Sequence, residues 1–427
     1  MRYKNLLVPL FAFLLMLAIG PLTAAGQSVL IDQDFIQYNR PVGQEGATMF
    51  EPPADDTTAY KGFAVKLGGA FTQQLQSLSQ SNNAGSLPDI GRGFNLATAN
   101  LDLDAQMARG IRLHVRTYLS SRHHPEAWVK GGYLQVNELP MFDSDAVDRV
   151  MSNLTIRAGH FMPNYGDAHF RRSDNADAIQ NPFVGNYILD AFTTEVGAEA
   201  LFQSSGFLVG GGFGGSLNPS VTNPDERAPS FHGKLGYDSQ VNDLIRVRLT
   251  GSAYYTKSSN DGQLHSGDRA GSRYYSVVEM GNDWSGRVRI NYSDQVTAFM
   301  VNPFVKIGGL ELFGSIETLT GEAPGLSDGS TNQYAAEAVY RFLNGDLFVG
   351  ARYNTLTGDV NLAGGGQAPS WSEVTVDRWQ VGAGWFMTEN IVVKGEYVTQ
   401  SYEDYPAGTP QSGAEFDGVM VEGVVSF

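Results

Sequence analysis

The chain has 427 residues, no cysteine and a formal net charge of −16 at pH 7. The lack of cysteine excludes a disulfide framework, a thiolate metal site and a lipid anchor on cysteine. The acidic balance argues against nucleic acid as a partner, because nucleic-acid-binding surfaces are basic.

The N-terminus has the features of an export signal. Arg2 and Lys4 give a positive start, residues 6–19 are apolar, and small residues follow at 22–26. This apolar core is shorter than the roughly 20 residues that a membrane-spanning helix needs. We therefore predict a signal peptide over residues 1–25. Without it, 27 basic and 45 acidic residues remain, a formal charge of −18.

Residues 26–61 are polar, rich in Asp, Pro and Gly, and show no sustained periodicity. We interpret them as an irregular periplasmic N-terminal leader. From Phe63 onward, apolar and polar residues alternate, which is typical of strands with one apolar and one polar face. We predict that residues 62–427 form an outer-membrane β-barrel.

The alternation is clearest where Ile111, Leu113 and Val115 interleave with Arg112 and Arg116. An arginine facing lipid costs about 2 to 4 kcal/mol at the bilayer midplane, so these arginines should face the lumen. Many of the alternating runs also reach the roughly 9 to 11 residues of transmembrane strands, whereas strands of soluble proteins peak near 5 to 6. The fold class that follows is all-β, a transmembrane antiparallel up-and-down barrel.

The number of predicted strands is sixteen, an even number as bacterial single-chain barrels require. They cover residues 63–74, 97–106, 111–122, 128–136, 154–161, 192–202, 207–217, 231–237, 245–255, 299–307, 310–320, 334–342, 347–353, 379–387, 391–397 and 416–427. Residues 274–280 and 284–292 are either a further hairpin, which gives eighteen strands, or the flanks of a long external loop.

Short and long connections alternate along the chain, as expected for periplasmic turns at one end and external loops at the other. Six connections are short: 107–110, 204–206, 239–242, 308–309, 344–346 and 388–390. Residues 321–331 are among the long ones. The exceptions are 123–127, which is short, and 137–152, which is long and helical in composition. Pro303 is also unexpected within a strand, because proline removes a backbone donor.

The long loop 162–191 is the best candidate for a constriction, because a loop folded into the lumen narrows an open barrel. Its residues His169, Arg171, Arg172, Asp174 and Asp177 would then meet the solute. The alternative is a solvated external loop.

Basic residues outnumber acidic ones among the side chains that parity directs inward. The candidate pore-lining and constriction residues are Arg112, Arg116, Arg122, Arg157, His169, Arg171, Arg172, Asp174, Arg246 and Arg248. Basic groups at a narrow point favour anions over cations. Alternatively, such charges only cross-link the wall and hydrate the lumen.

Catalytic and metal sites have no support in the sequence. No GxSxG, HExxH or GxGxxG pattern occurs in a suitable context. His123 and His124 are adjacent, and on a strand they would point to opposite faces, so a shared metal site is not expected. We predict no enzyme activity, no cofactor and no metal.

Several motifs resemble the phosphate-selective porin O and P family of bacterial outer-membrane porins. They include 157–166 (RAGHFMPNYG), 302–306 (NPFVK), 309–314 (GLELFG), 394–397 (KGEY) and the terminal Phe427. The resemblance implies a sixteen-stranded, commonly trimeric barrel that passes small, often anionic solutes. In that family phosphate selectivity depends on an arginine ladder and a central lysine cluster, and this chain has no comparable lysine cluster.

The sequence thus predicts a porin in the outer membrane of a Gram-negative bacterium, a water-filled channel for passive diffusion of small solutes, including anions. Its expected partners are outer-membrane lipid, small solutes and further copies of itself in a homotrimer. The main alternative is a barrel that acts as a surface adhesin or structural anchor through its external loops. A membrane-embedded hydrolase is a third and more distant one.

Overall fold

The computed structural model describes residues 36–427 except 53, 55, 121–126, 216–227, 259–263, 266–272, 279–283 and 363–368. The predicted signal peptide, Arg122, His123 and His124 lie outside the described residues.

Almost all regular structure in these ranges is β-strand. The strands are β1 (Ala64–Ser81), β2 (Gly93–Phe94), β3 (Thr98–Ala108), β4 (Ile111–Ser120), β5 (Trp128–Val136), β6 (Leu154–Phe161), β7 (Glu195–Ser204), β8 (Phe207–Gly215), β9 (Pro229–Gln240), β10 (Ile245–Thr256), β11 (Tyr274–Tyr275), β12 (Trp284–Ser285), β13 (Val296–Ile307), β14 (Leu310–Ala323), β15 (Leu326–Phe342), β16 (Leu347–Asn361), β17 (Trp371–Thr388), β18 (Ile391–Glu403) and β19 (Glu415–Ser426). One α-helix, α1 (Asp145–Met151), and short 3-10 turns at Glu45–Thr48, Ala168–Phe170 and Leu343–Gly345 complete them.

Sixteen strands form a closed antiparallel barrel, as the alternation predicted. Each pairs with the next barrel strand along the chain, and β1 closes the ring by pairing with β19 from Ala70↔Ser426 to Ser81↔Glu415. The short β2 adds to β1, while β11 and β12 form a separate two-stranded sheet. The eighteen-strand alternative is therefore wrong, because the two segments concerned do not join the wall.

Neighbouring residues on one strand show which face meets lipid. On β9, Lys234 is 2% exposed and points into the barrel, while Leu235 is 63% exposed on the outside. The same two-residue period runs through most barrel strands, because successive side chains of a strand point to opposite faces. The outer face is thus apolar and the inner face polar, as in outer-membrane barrels.

The two ends of the barrel differ in the length of their connections. The six connections predicted to be short join their strands at one end, which we call the short-turn end; the opposite end is the long-loop end. The prediction of a long loop over 321–331 is wrong, because β14 runs to Ala323 and β15 starts at Leu326. Serine and threonine residues continue the strand pairing there beyond the apolar band.

Pro303 lies inside β13, where the pairing with β14 is interrupted between Val301 and Phe304. Proline has no backbone N–H to donate to the opposite strand. The side-chain amide of Asn302 donates instead to the carbonyl of Gly314 at 3.1 Å. This explains how a strand in the wall accommodates a proline.

The connection 137–152 contains the helix that its composition indicated, α1, which lies at the short-turn end between β5 and β6. Among the described residues, no helix combines the length and the apolar character needed to cross a bilayer.

We predict that Leu235→Arg lowers the free energy of unfolding by about 2 to 4 kcal/mol, because it places a charge in the apolar band. Denaturant titration of the protein in lipid vesicles measures this effect. Leu244→Arg is the matched control, because Leu244 is equally exposed, at 64%, but lies in the β9–β10 turn. Equal effects of both variants would contradict the assignment of the lipid-facing surface.

Candidate functional site

Residues 162–191, which we call the constriction loop, lie inside the barrel. Nearly all of them are buried, including the charged residues Asp167, Arg171 and Arg172. A buried loop needs partners for its backbone and its charges. The wall supplies both, so the loop occupies the lumen and is not a solvated external loop.

One anchor of the constriction loop is the buried Arg171. Its guanidinium lies 2.7 Å from Glu337 of β15 and 3.2 Å from Glu311 of β14. Arg352 of β16 completes the group at 2.7 Å from Glu337, and Arg341 lies 2.8 Å from Glu311. Two fully buried carboxylates thus face three guanidinium groups, which fixes the loop against one side of the wall.

The loop backbone is also bound by inward-facing wall residues. Glu396 of β18 accepts from the amides of Val184 and Gly185 at 2.8 and 3.2 Å. Lys394, two residues earlier, donates to three loop carbonyls at 2.7 to 2.8 Å. The buried charges of Glu396 and Lys394 thus hydrogen-bond to backbone groups of the loop that have no partner within the loop.

A second inward segment, residues 273–278 and 284–292, fills the lumen on the same side. Arg273 lies 2.6 Å from Glu422 of β19, and the hydroxyl of Tyr274 donates to Glu396 at 2.6 Å. The two inward elements also contact each other, since the amide of Val288 donates to the carbonyl of Ile188 at 2.9 Å. Together they pack against the wall from β13 to β19, and further contacts reach β1, β3, β4, β9 and β10.

Gly185 lies where the constriction loop meets the second inward segment, and a side chain has no room there. A Cβ atom at Gly185 would overlap the hydroxyl of Tyr274. Because that hydroxyl and the amide of Gly185 both bind Glu396, one carboxylate organises the constriction loop and the second inward segment at once.

A cavity of about 290 Å³ remains beside the constriction loop. It is lined by residues of β1 and of β3 to β6, by Thr194 just before β7, by the end of β19, by one face of the constriction loop and, at the short-turn end, by residues 39–42. The charged side chains of its lining are Arg40, Lys66, Asp102, Asp104, Arg112, Arg116, Lys130, Arg157, Arg172, Asp174 and Asp177. Seven are basic and four acidic, so the lining is positive although the chain is acidic.

Ion pairs hold the cationic side chains of this lining in place. Arg112 lies 2.6 Å from Asp104, and Arg116 lies 2.7 Å from Asp102 on the neighbouring strand. Arg116 also reaches Asp177 of the constriction loop at 3.1 Å. These ion pairs hold Arg112 and Arg116 in defined positions on the cavity wall.

His169 adds no charge to this lining at neutral pH. Burial, with Lys234 and Arg172 nearby, lowers the pKa of His169 well below its usual value of 6.5. The neutral form is the stable one, because desolvation disfavours the imidazolium.

The sequence-predicted site residues fall into two groups in the structure. Six of them line the cavity: Arg112, Arg116, Arg157, His169, Arg172 and Asp174. Three do not: Arg171 is the buried anchor described above, while Arg246 and Arg248 bind Asp238 near the short-turn end. Arg122 lies outside the described residues. The alternation of apolar and polar residues predicts which side chains point inward, but it does not predict which of them a loop covers.

Among the charged residues of the lining, parity did not place Lys130 and Arg40 inward. Lys130 has the parity of an outward residue, but β5 carries an extra residue there, since Arg116 pairs with Gly131 and Thr117 with Val129. Such a bulge redirects the side chain, and Lys130 lines the cavity. Arg40 belongs to a segment without periodicity, so no pattern could have placed it.

Comparison with known proteins supports the fold. No protein-family model and no curated protein matches the chain. Solved structures do match. In-vitro folded OmpT of Vibrio cholerae in its trimer form shares 12% identity at TM-score 0.51, covering 86% of this chain and 100% of its own. An anion-selective porin from Comamonas acidovorans shares 13% at TM-score 0.51, covering 86% and 100%. Pseudomonas putida OprB at high pH shares 12% at TM-score 0.53, covering 86% and 94%.

These likenesses identify the fold as that of outer-membrane β-barrels of the porin type. The three structures come from differently named porins and outer-membrane proteins, so they do not single out the phosphate-selective group that the motifs resemble.

We predict that Glu396→Ala lowers the free energy of unfolding by at least about 1.5 to 3 kcal/mol, because it leaves buried amide donors without their charged acceptor. Urea titration in detergent micelles measures this. Glu373→Ala is the control, because Glu373 is an exposed residue of β17. An unchanged stability of the Glu396 variant would show that the two inward elements do not depend on this carboxylate.

Proposed function

We propose that the protein is a passive channel of the outer membrane, through which small solutes diffuse along the cavity beside β1 and β3 to β6. The observation that carries this proposal is a polar cavity of about 290 Å³ that extends, within a closed barrel, from residues 39–42 at the short-turn end to Lys130 and His160 near the long-loop ends of their strands. Such a space accommodates small hydrated solutes and excludes large ones. Residues 1–25 serve as the export signal in this proposal.

Anions are the preferred solutes in this proposal. Seven basic side chains against four acidic ones leave the lining positive, and His169 is neutral. A positive, water-filled passage between low-dielectric walls lowers the barrier for anions and raises it for cations. Lys66 of β1 and Lys130 of β5 are the two lysines of this lining, which are too few for the lysine cluster of a phosphate-selective porin. We therefore propose selectivity for small anions in general.

The proposal assigns no catalytic step to the chain. Arg112 and Arg116 of the cavity are bound to Asp104, Asp102 and Asp177, which suits permeation rather than chemistry. Within the described residues, no group of three or more His, Asp or Glu side chains could hold a metal ion.

A homotrimer is the proposed assembly. It is implied by the family resemblance, and the structure of Vibrio cholerae OmpT in trimer form supports it for a barrel of this shape.

An adhesin or structural anchor is the second candidate, and one observation favours it. The constriction loop and the second inward segment fill much of the lumen, which a surface anchor could tolerate and a wide channel could not. Recording from purified protein in planar bilayers distinguishes the two. Stepwise currents are expected for the channel, and a silent preparation of folded protein would favour the anchor.

We predict that the double variant Lys66→Gln and Arg157→Gln lowers the preference for anions, because it removes two positive charges from the lining. The reversal potential in a potassium chloride gradient measures the permeability ratio. Lys306→Gln is the matched control, because Lys306 lies at the end of β13, outside the cavity lining. The same reversal potential in the wild type and the double variant would refute the proposed role of these residues.

A further inference from the structure

Residues 36–51, which we call the leader crossing, extend across the short-turn end of the barrel. The side-chain oxygen of Gln37 accepts from the amide of Gly110, in the β3–β4 turn, at 3.0 Å. Gln44 reaches two other turns: its amide donates to the carbonyl of Glu389 at 2.8 Å and its side chain to Asp346 at 3.1 Å. The crossing thus bridges turns that are far apart around the rim.

The leader crossing also contacts the start of β10, at another position on the short-turn end. Arg246 of β10 donates to the carbonyl of Thr48 at 3.1 Å. Ala47 is 2% exposed and packs with Ile179 and Phe183 of the constriction loop. A segment that only connected to β1 would not need these contacts, because water could hydrogen-bond to its backbone.

Glu51 fixes the end of the crossing. Its carboxylate lies 2.9 Å from Lys234 of β9 and 2.7 Å from Arg248 of β10, and its side chain is 1% exposed. Asp167 of the constriction loop contacts the same two cations, at 2.6 and 2.8 Å. Two cations of the wall are thus balanced by one carboxylate from the leader and one from the loop. All four groups are buried, so none can be removed without leaving a charge unbalanced.

The ionisation of Glu51 agrees with this arrangement. Burial alone would raise its pKa, but Lys234 and Arg248 outweigh that effect and hold the pKa well below its usual range. The carboxylate is therefore charged at any pH at which the barrel is expected to work.

An aromatic contact supports the ionic one. Phe50, 2% exposed, packs edge-on against Phe170 of the constriction loop and Phe304 of β13, with ring centroids at 5.9 and 5.2 Å. The guanidinium of Arg248 lies 4.3 Å above the ring of Phe50. Removing the leader from this position would expose both an apolar surface and two cations.

Arg40 connects the crossing to the cavity. One of its terminal nitrogens donates to the carbonyls of Gly46, Met49 and Phe170, at 2.9, 2.5 and 3.1 Å. Arg40 and its neighbours also line the cavity at the short-turn end. The same residue therefore shapes the leader and contributes a positive charge to the mouth.

We propose that the leader crossing forms part of the channel wall at the short-turn mouth, held there by Glu51, and that it sets the bore and the charge of that mouth. This inference rests on the proposed function, because it assigns a role in permeation. It differs from the sequence-based interpretation of a separate periplasmic leader.

The first test compares the wild type with Glu51→Gln in planar bilayers. Loss of the carboxylate charge removes one of the acidic partners of Lys234 and Arg248. The leader crossing should then detach from the position that Glu51 holds. The expected result is a shift to higher conductance with more frequent transitions between levels. Glu195→Gln is the control, because Glu195 is a buried carboxylate at the long-loop end that binds Tyr254 and Ser230 and does not contact the leader.

The second test reports the position of the leader without any current. The chain contains no cysteine, so Ala47→Cys introduces a single thiol. A water-soluble maleimide should label this thiol slowly in the otherwise wild-type protein and faster when Glu51→Gln is added. The characteristic mobility of the folded barrel on unheated gels excludes unfolding as the cause.

The outcomes are distinguishable. A folded wild type without current would defeat the proposed function, while slow labelling at position 47 would still show a seated leader. Faster labelling with unchanged conductance would overturn the inference, because the leader would then have moved without altering the pore. Unchanged labelling would overturn it too, because Glu51 would not hold the crossing.

Discussion

The structure depends on the balance of charges inside the barrel. Strands that alternate strictly direct every second side chain to the lumen, and in this chain many of those side chains are ionised and almost completely buried. Arg352, Arg378, Lys394 and Glu422 are at most 1% exposed. A buried charge without partners is strongly destabilising, so such a wall is stable only if something inside the barrel binds it. The constriction loop, the second inward segment and the leader crossing provide those partners.

This requirement explains why the passage is off-centre. The inward elements bind mainly to β13–β19, where strands reach 14 to 18 residues in β14 to β17, more than the roughly 9 to 11 that a bilayer needs. The strands β5, β6 and β8 have only 8 or 9 residues. The open cavity lies against the long strand β1 and the shorter strands β3 to β6. The side of the barrel formed by β14 to β17 thus carries most of the packed interior.

The sequence predicted the wall well and the interior poorly, for physical reasons. A period of two residues is a local property, so all sixteen strands could be recognised, and 128–136 and 154–161 agree with the structure to the residue. The segment with Val277, Val278, Val288 and Ile290 is apolar like a strand, yet it lies in the lumen, because apolar residues serve a packed interior as well as lipid. Whether an inward-facing residue lines the cavity or lies buried beneath other elements also depends on contacts that are distant in sequence. Arg171 and Arg172 are adjacent, but only Arg172 lines the cavity.

In the proposed channel, solutes pass beside β1 and β3 to β6, while the inward elements cover the wall at β14 to β18. Cysteine substitution tests it directly, because the natural chain has no thiol. Lys66 lines the cavity, whereas Gln333 is 1% exposed and binds both the amide and the carbonyl of Leu189. A charged methanethiosulfonate added during bilayer recording should reduce the current through Lys66→Cys and leave Gln333→Cys unchanged. Modification of Gln333→Cys with loss of current, and no effect on Lys66→Cys, would contradict the account.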